Sequence, residues 1–204
     1  MPSKSLSRSS LLNFQKYSSL LAGNNPYIPP PAGAFHYLEE IDVTDPQANA
    51  VFSNLVSTYG SDYQHLQVRL STRTTRGTTS DAIYIRANNV TSAVYSSHAL
   101  RSGSAYNAAA SQDKILMGES TSYGDDPYNF SAMTVDILDP FETSKSTTFV
   151  ASNAIVGNNS STQTHIYLSS GLYQQNTAID ELDFFNLTTW GTGSHLALFG
   201  LKAA

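Results

Sequence analysis

From Ala34 to the C-terminus, apolar side chains recur at every second position instead of at the three-to-four spacing of a helix. Leu66, Val68 and Leu70 alternate with Gln67, Arg69 and Ser71, and Met133, Val135 and Ile137 alternate with Thr134 and Asp136. A chain with this period buries its apolar side chains as half-buried antiparallel strands. Further strands are predicted over Phe35 to Val43, Ser80 to Ala87, Ala93 to Leu100, Asp113 to Glu119, Thr147 to Ile155, Gln163 to Leu172, Ile179 to Leu187 and His195 to Leu201. Turn-rich pieces such as Ser102-Gly103-Ser104, Tyr123-Gly124-Asp125-Asp126-Pro127 and Gly157-Asn158-Asn159 separate them. Roughly ten strands at short intervals, without a helix, predict an all-β protein: an antiparallel β-sandwich or jelly roll over residues 34–204. The sequence lacks a repeat of 20 to 50 residues, which argues against a propeller or solenoid.

Composition agrees. Only 13% of residues are charged, about half the usual share, and Ser, Thr, Asn and Gly take up the difference. Ser, Thr and Asn compete with the backbone for hydrogen bonds and so depress helix. The absence of cysteine excludes disulfides and thiolate metal sites. The start Met-Pro-Ser-Lys lacks the apolar run of a secretory leader, and no stretch has the roughly 20 apolar residues of a membrane span. The expectation is a soluble chain made in the cytoplasm. Its five Asn-x-Ser/Thr sequons, at Asn89, Asn129, Asn158, Asn159 and Asn186, are then products of composition.

The first 38 residues carry no acidic side chain, whereas all sixteen acids fall in the remaining 166. Residues 1–33 are therefore expected to form a separate, extended arm. Lys4, Arg8 and Lys16 make it basic, and Asn24-Asn25-Pro26-Tyr27-Ile28-Pro29-Pro30-Pro31 favours an extended polyproline-like track. Leu11, Phe14, Tyr17 and Leu21 fall near one face at helical spacing, with Ser9 or Ser10 as a cap and Gly23 past the end. So short a helix is marginal alone, and its apolar face needs a surface, either a partner or the chain's own body. The contact residues expected on the arm are Lys4, Arg8, Leu11, Leu12, Phe14, Lys16, Tyr17, Leu20, Leu21, Tyr27 and Ile28.

Motifs for chemistry are sparse. Gly-x-Ser-x-Gly, His-Glu-x-x-His and the phosphate-binding loop are absent, and no catalytic residues, metal site or cofactor are expected. His36, His65, His98, His165 and His195 stand singly on predicted strands, where a structural role is the simpler reading. The acidic loop from Glu119 to Asp126 could offer oxygens to calcium, but a solvated turn closed by Pro127 is the plainer reading. Alternation places Glu181 and Asp183 on one strand face, at a solvent or intersubunit rim beside a partner's arginine. Arg69, Arg73 and Arg76 are set against an acidic balance that opposes nucleic-acid binding. Tyr63, Tyr84, Tyr95, Tyr123 and Trp190 could stack on sugar rings, or serve as core and interface anchors.

Ile179-Asp180-Glu181-Leu182-Asp183-Phe184-Phe185, a Gly-rich turn and then His195-Leu196-Ala197-Leu198-Phe199-Gly200-Leu201-Lys202 resemble the ending of virion proteins of tailed bacteriophages. Tyr63 to Arg69, Thr79-Ser80-Asp81 and Ser169-Ser170-Gly171-Leu172-Tyr173 are similar too, and Leu12 to Asn24 resembles a cyanophage-like arm. Phe199 stands where many relatives would have Tyr. The resemblance implies a jelly-roll virion component. Within that class the preferred expectation is a capsid decoration or cement protein on the outer surface of the head. Its partner would be the major capsid protein, held through the arm, and its body a homotrimer, with no nucleic acid or membrane involved. The alternative is a tail-fibre or tail-tip module that contacts host surface polysaccharide.

Overall fold

The alternating segments become strands in a computed structural model that describes residues 35–102, 107–157 and 164–202. The arm, with every contact residue expected on it, lies outside the described residues. The strands are β1 (Phe35–Asp42), β2 (Gln47–Phe52), β3 (His65–Thr74), β4 (Ser80–Ala87), β5 (Tyr95–Arg101), β6 (Asn107–Gln112), β7 (Ile115–Ser122), β8 (Ser131–Leu138), β9 (Thr147–Ile155), β10 (His165–Tyr173), β11 (Leu182–Trp190) and β12 (His195–Leu201). A single helical turn, α1 (Leu55–Tyr59), follows β2.

With β5, β6, β9 and β10 set aside, the other eight strands form nested antiparallel pairs: β1 with β12, β2 with β11, β3 with β8 and β4 with β7. β12 also pairs with β3, and β11 with β4. This wraps the nest into two sheets, β1–β12–β3–β8 and β2–β11–β4–β7, which is the strand order of a jelly roll. The four remaining strands are insertions. They continue the first sheet from the edge of β8 in the order β9–β10–β5–β6.

Between the two sheets of the roll lies an aliphatic core: Leu66, Val68, Leu70, Ile83, Ile85, Val135, Ile137, Leu196 and Leu198, all essentially without exposure. Trp190 closes one end, its indole N–H donating to the Phe184 carbonyl at 3.1 Å. β3 passes from one sheet to the other. It pairs with β8 through Thr72 and then, at Arg73 and Thr74, runs parallel to Thr121 and Ser122 of β7. Its side chains alternate up to Leu70 and then stay buried from Thr72 to Thr74, because the crossing strand has sheet on both sides.

This corner is polar and largely paired, with Arg73 Nε and Thr74 Oγ1 left buried without hydrogen-bond partners. Thr72, Ser120 and Ser131 share hydroxyl contacts of 3.1 to 3.2 Å. Ser194 accepts from the Arg73 amide and donates to the Arg73 carbonyl. The Arg73 guanidinium lies over Tyr123 at 4.7 Å and donates to the Asp125 carbonyl at 3.3 Å.

β2, β6 and α1 are absent from the sequence expectation. Gln47-Ala48-Asn49-Ala50 and Asn107-Ala108-Ala109-Ala110 are poor in β-branched and aromatic residues, so their propensity for strand is weak. Each is an edge strand, and its pairing with β11 or β5 supplies the structure. β7 also ends in an unpaired amide edge. Asn153 covers it, accepting from the Glu119 N–H at 3.0 Å and donating to the Ala132 carbonyl at 3.1 Å. Only glycine fits at position 118, where φ is +152° and a Cβ would sit 2.7 Å from Asn153 Oδ1.

Candidate interaction surface

In β10 His165, Tyr167, Ser169, Gly171 and Tyr173 occupy inward positions, while the side chains of Ile166, Leu168, Ser170 and Leu172 point outward. This inverts the usual arrangement. Alternation in His165-Ile166-Tyr167-Leu168-Ser169 would normally put the two aliphatic residues in the core. Instead Ile166 is 67% and Leu168 53% exposed. Leu168 is paired directly with Leu100 of β5, itself 51% exposed, and Ile166 with Ala154 of β9.

Gly171 holds this register. Its inward position lies against Ile115 of β7, where a Cβ would come within 2.3 Å of Ile115 Cγ2. Tyr173 stacks on Tyr95 at 5.2 Å. The Tyr95 hydroxyl is buried against the backbone of Ala87 and Val90, which it meets at 3.0 to 3.1 Å. Burial pushes its pKa up to about 12.

The inward polar groups form a clamp to β7. Tyr167 donates its hydroxyl to Glu119 Oε1 at 2.5 Å, and Arg101 lies 3.7 Å from the same carboxylate. Burial, followed by the Glu119 hydrogen bond, raises the Tyr167 pKa. Arg101 also donates to His165 Nε2. Since arginine has no acceptor, His165 must present a lone pair and is neutral here. Burial first, then the Arg101 charge, lowers its pKa. The clamp leaves Glu119 Oε2, Ser169 Oγ and Thr147 Oγ1 buried without hydrogen-bond partners, each a destabilising feature.

The outer face of this sheet continues across β8 and β3. It carries Thr134, Asp136, Ser152, Ala154, Ser170, His98 and Ala108, with two shallow hollows of about 500 and 410 Å³. Its central charges are Asp136, which accepts from Gln67 at 2.6 Å, and Arg69. Arg69 lies over the rings of Phe35 and Phe199, at 4.9 and 5.2 Å.

The opposite sheet has a different outer face. Phe185 and Tyr84 stack at 5.6 Å, with Arg86 4.4 Å from the first ring and Lys114 5.1 Å from the second. Asp113 accepts from both cations, at 2.8 and 2.9 Å. The outer ring faces are thus occupied by cations.

The predicted site residues are dispersed. Among the aromatics considered for sugar stacking, Tyr95 and Trp190 are buried outright, and Tyr63 and Tyr84 are half-buried. Tyr123 is exposed but carries Arg73. Arg69, Arg73 and Arg76 do not form one surface: Arg73 is interior, and Arg76 is paired with Asp81 at 3.0 Å. Asp183 is not at a rim. It is 4% exposed, accepts from Asn49 at 2.7 Å, and faces Arg86 of its own chain across the strand pair. Burial raises its pKa.

Within the 119–126 loop, the carboxylates are engaged locally. Glu119 binds Tyr167, Asp125 accepts from Asn129 at 3.2 Å, and Asp126 accepts from the Tyr128 amide at 2.9 Å. The five histidines all lie on strands, as expected. His65 Nδ1 accepts from the Asp139 amide, and His195 pairs with Asp42 at 2.7 Å.

The inverted face of β9, β10 and β5 was not legible as a site. Its signal, Leu100, Ile166 and Leu168 at alternate positions, reads in sequence as core. Only pairing shows that these residues point away from it. No family model matches the chain, and none of the curated proteins matches its sequence.

Proposed function

We propose that the protein is a virion structural component of the capsid decoration type. Its jelly-roll body would stand on the outer surface of a phage head as a homotrimer, and its basic N-terminal arm would bind the major capsid protein. The observation that carries this reading is the outer face of β9, β10 and β5, where β10 turns Ile166 and Leu168 outward and no outward residue is Asp, Glu, Lys or Arg, which suits contact with protein. The resemblance of the closing strands to tailed-phage virion proteins supplies the setting. The arm supplies the attachment: a strip of Leu11, Leu12, Phe14, Tyr17, Leu20, Leu21, Tyr27 and Ile28 can bury apolar area along a track, and several arms per oligomer multiply the effective affinity. The polysaccharide-binding alternative draws less support, because the aromatics it needs are buried or already stacked on cations.

The test is attachment. The full chain should bind purified heads in hundreds of copies, and deletion of residues 1–31 should abolish binding while leaving the β-rich body folded. A handful of copies per particle, confined to the tail, would replace this reading with the receptor-binding one.

A further inference from the structure

We infer that the outer face of β9, β10 and β5 is the surface on which a second copy of this chain packs. The inference builds on the homotrimer of the proposed reading and assigns its interface.

Three observations select this occupant. First, the inversion of β10: His165, Tyr167 and Ser169 are buried, with the hydroxyls of Ser169 and Thr147 left unpartnered, while Leu100, Ile166 and Leu168 point outward. In an isolated sandwich the opposite register would bury more apolar area, so this register is favourable when the outward side is also covered by apolar surface. Second, charge. On the outward positions of β9, β10 and β5 there is no Asp, Glu, Lys or Arg, and His98 is the one titratable group. Such a face offers nothing to a polyanion or a charged polysaccharide, and it meets no repulsion from its own copy. Third, area. The strands β9, β10 and β5, of seven to nine residues, present roughly 14 by 28 Å at normal strand spacing and rise, or about 400 Å², and β8 and β3, which carry Asp136 and Arg69, extend the same face to about 700 Å². A standard interface needs about 800 Å² per partner.

The protein has no cysteine, so single-cysteine variants report contact cleanly. Mass measurement on the purified full chain at micromolar concentration should show an oligomer. Leu168→Glu would place an unpaired carboxylate in the contact and should weaken association roughly 100-fold. Leu187→Glu, equally exposed but on β11 of the other sheet, should leave it unchanged. Labelled with a benzophenone maleimide, Ser170→Cys should photocrosslink to a neighbouring copy whichever symmetry relates them, and Leu187→Cys labelled alike should not. The cysteine pair does not depend on the folding of Leu168→Glu.

A monomeric wild type overturns the inference. So does an oligomer that survives Leu168→Glu and fails to crosslink through Ser170→Cys. The outcome is separable from capsid attachment, since no particles are present: self-association without head binding leaves the inference standing and removes the capsid reading, and monomers that decorate heads do the reverse.

Discussion

The eight-strand roll and β10 of the four-strand extension obey the same period of two but use it in opposite senses, although β9 beside β10 keeps Phe149, Ala151 and Ile155 inward. In the roll, Leu66, Val68, Leu70, Val135 and Ile137 point inward against Leu196, Leu198, Ile83 and Ile85, and the outward positions are mostly polar. In the extension, β10 turns His165, Tyr167 and Ser169 inward and its aliphatic residues outward. The roll is held together mainly by burial, which is nondirectional and proportional to area. β10 is held by particular groups in particular geometry: the Tyr167–Glu119 hydrogen bond, the Arg101–His165 contact, the Tyr95–Tyr173 stack and the space left by Gly171. A chain can thus append strands whose outward face is apolar, provided that the inward face is tied by specific polar contacts.

The largest expected effect separates the two regions. Trp190→Ala should destabilise the isolated protein by about 3–5 kcal/mol in denaturant unfolding, because a fully buried ring is lost. Leu168→Ser, on the outward face of the extension, should change the stability of a dissociated chain by less than about 0.5 kcal/mol. Equal losses at the two positions would break the contrast. Next comes Gly171→Ala, which forces a methyl into Ile115 and should cost about 1–3 kcal/mol. Hydrogen exchange should locate that loss in β10 and β5; a loss spread evenly over β3 and β12 would mean the two regions unfold as one.

Tyr167→Phe should cost about 1–3 kcal/mol by leaving the Glu119 carboxylate with one fewer donor in a half-buried site. The clamp should also respond to acid. The folded-state pKa of His165 is lowered relative to the unfolded chain, so the neutral form is favoured on folding. Its contribution is fully present above an unfolded pKa of about 6.5 and is lost as pH falls through the folded value. The stability advantage of wild type over His165→Gln should therefore shrink as pH is lowered from neutrality; an advantage that grows would place the proton the other way.

The smallest effect belongs to the outer face of the second sheet. Lys114→Ala should cost less than about 1 kcal/mol, with the loss reduced in high salt, because the Tyr84 and Asp113 contacts of this ammonium are partly exposed.

What could be read from the residues follows from what is local. Three strands, Ser80–Ala87, Thr147–Ile155 and His195–Leu201, have the predicted boundaries, because each combines alternation with β-branched or aromatic side chains and flanking turns. Trp190 and Tyr95, considered as sugar platforms, are core residues, since the exposure of an aromatic depends on which strands pair around it. Asp183 escaped for the same reason: its neighbours Asn49 and Arg86 are distant in sequence and meet it only through β2 and β4.

The sequence by itself determined that the described residues form an all-β sandwich, because a period of two can satisfy backbone and side chains together only in paired, half-buried strands. It also determined the change in charge after the first 38 residues. Tertiary structure decided the rest. The nesting of β1 with β12 and β2 with β11, the recruitment of the alanine-rich edge strand β6, and the outward turn of Leu100, Ile166 and Leu168 all depend on contacts between residues far apart in the chain. Alternation says that two faces differ. Which face meets the core is set by register, and register is set by what lies across the sheet: Ile115 under Gly171 and Glu119 under Tyr167.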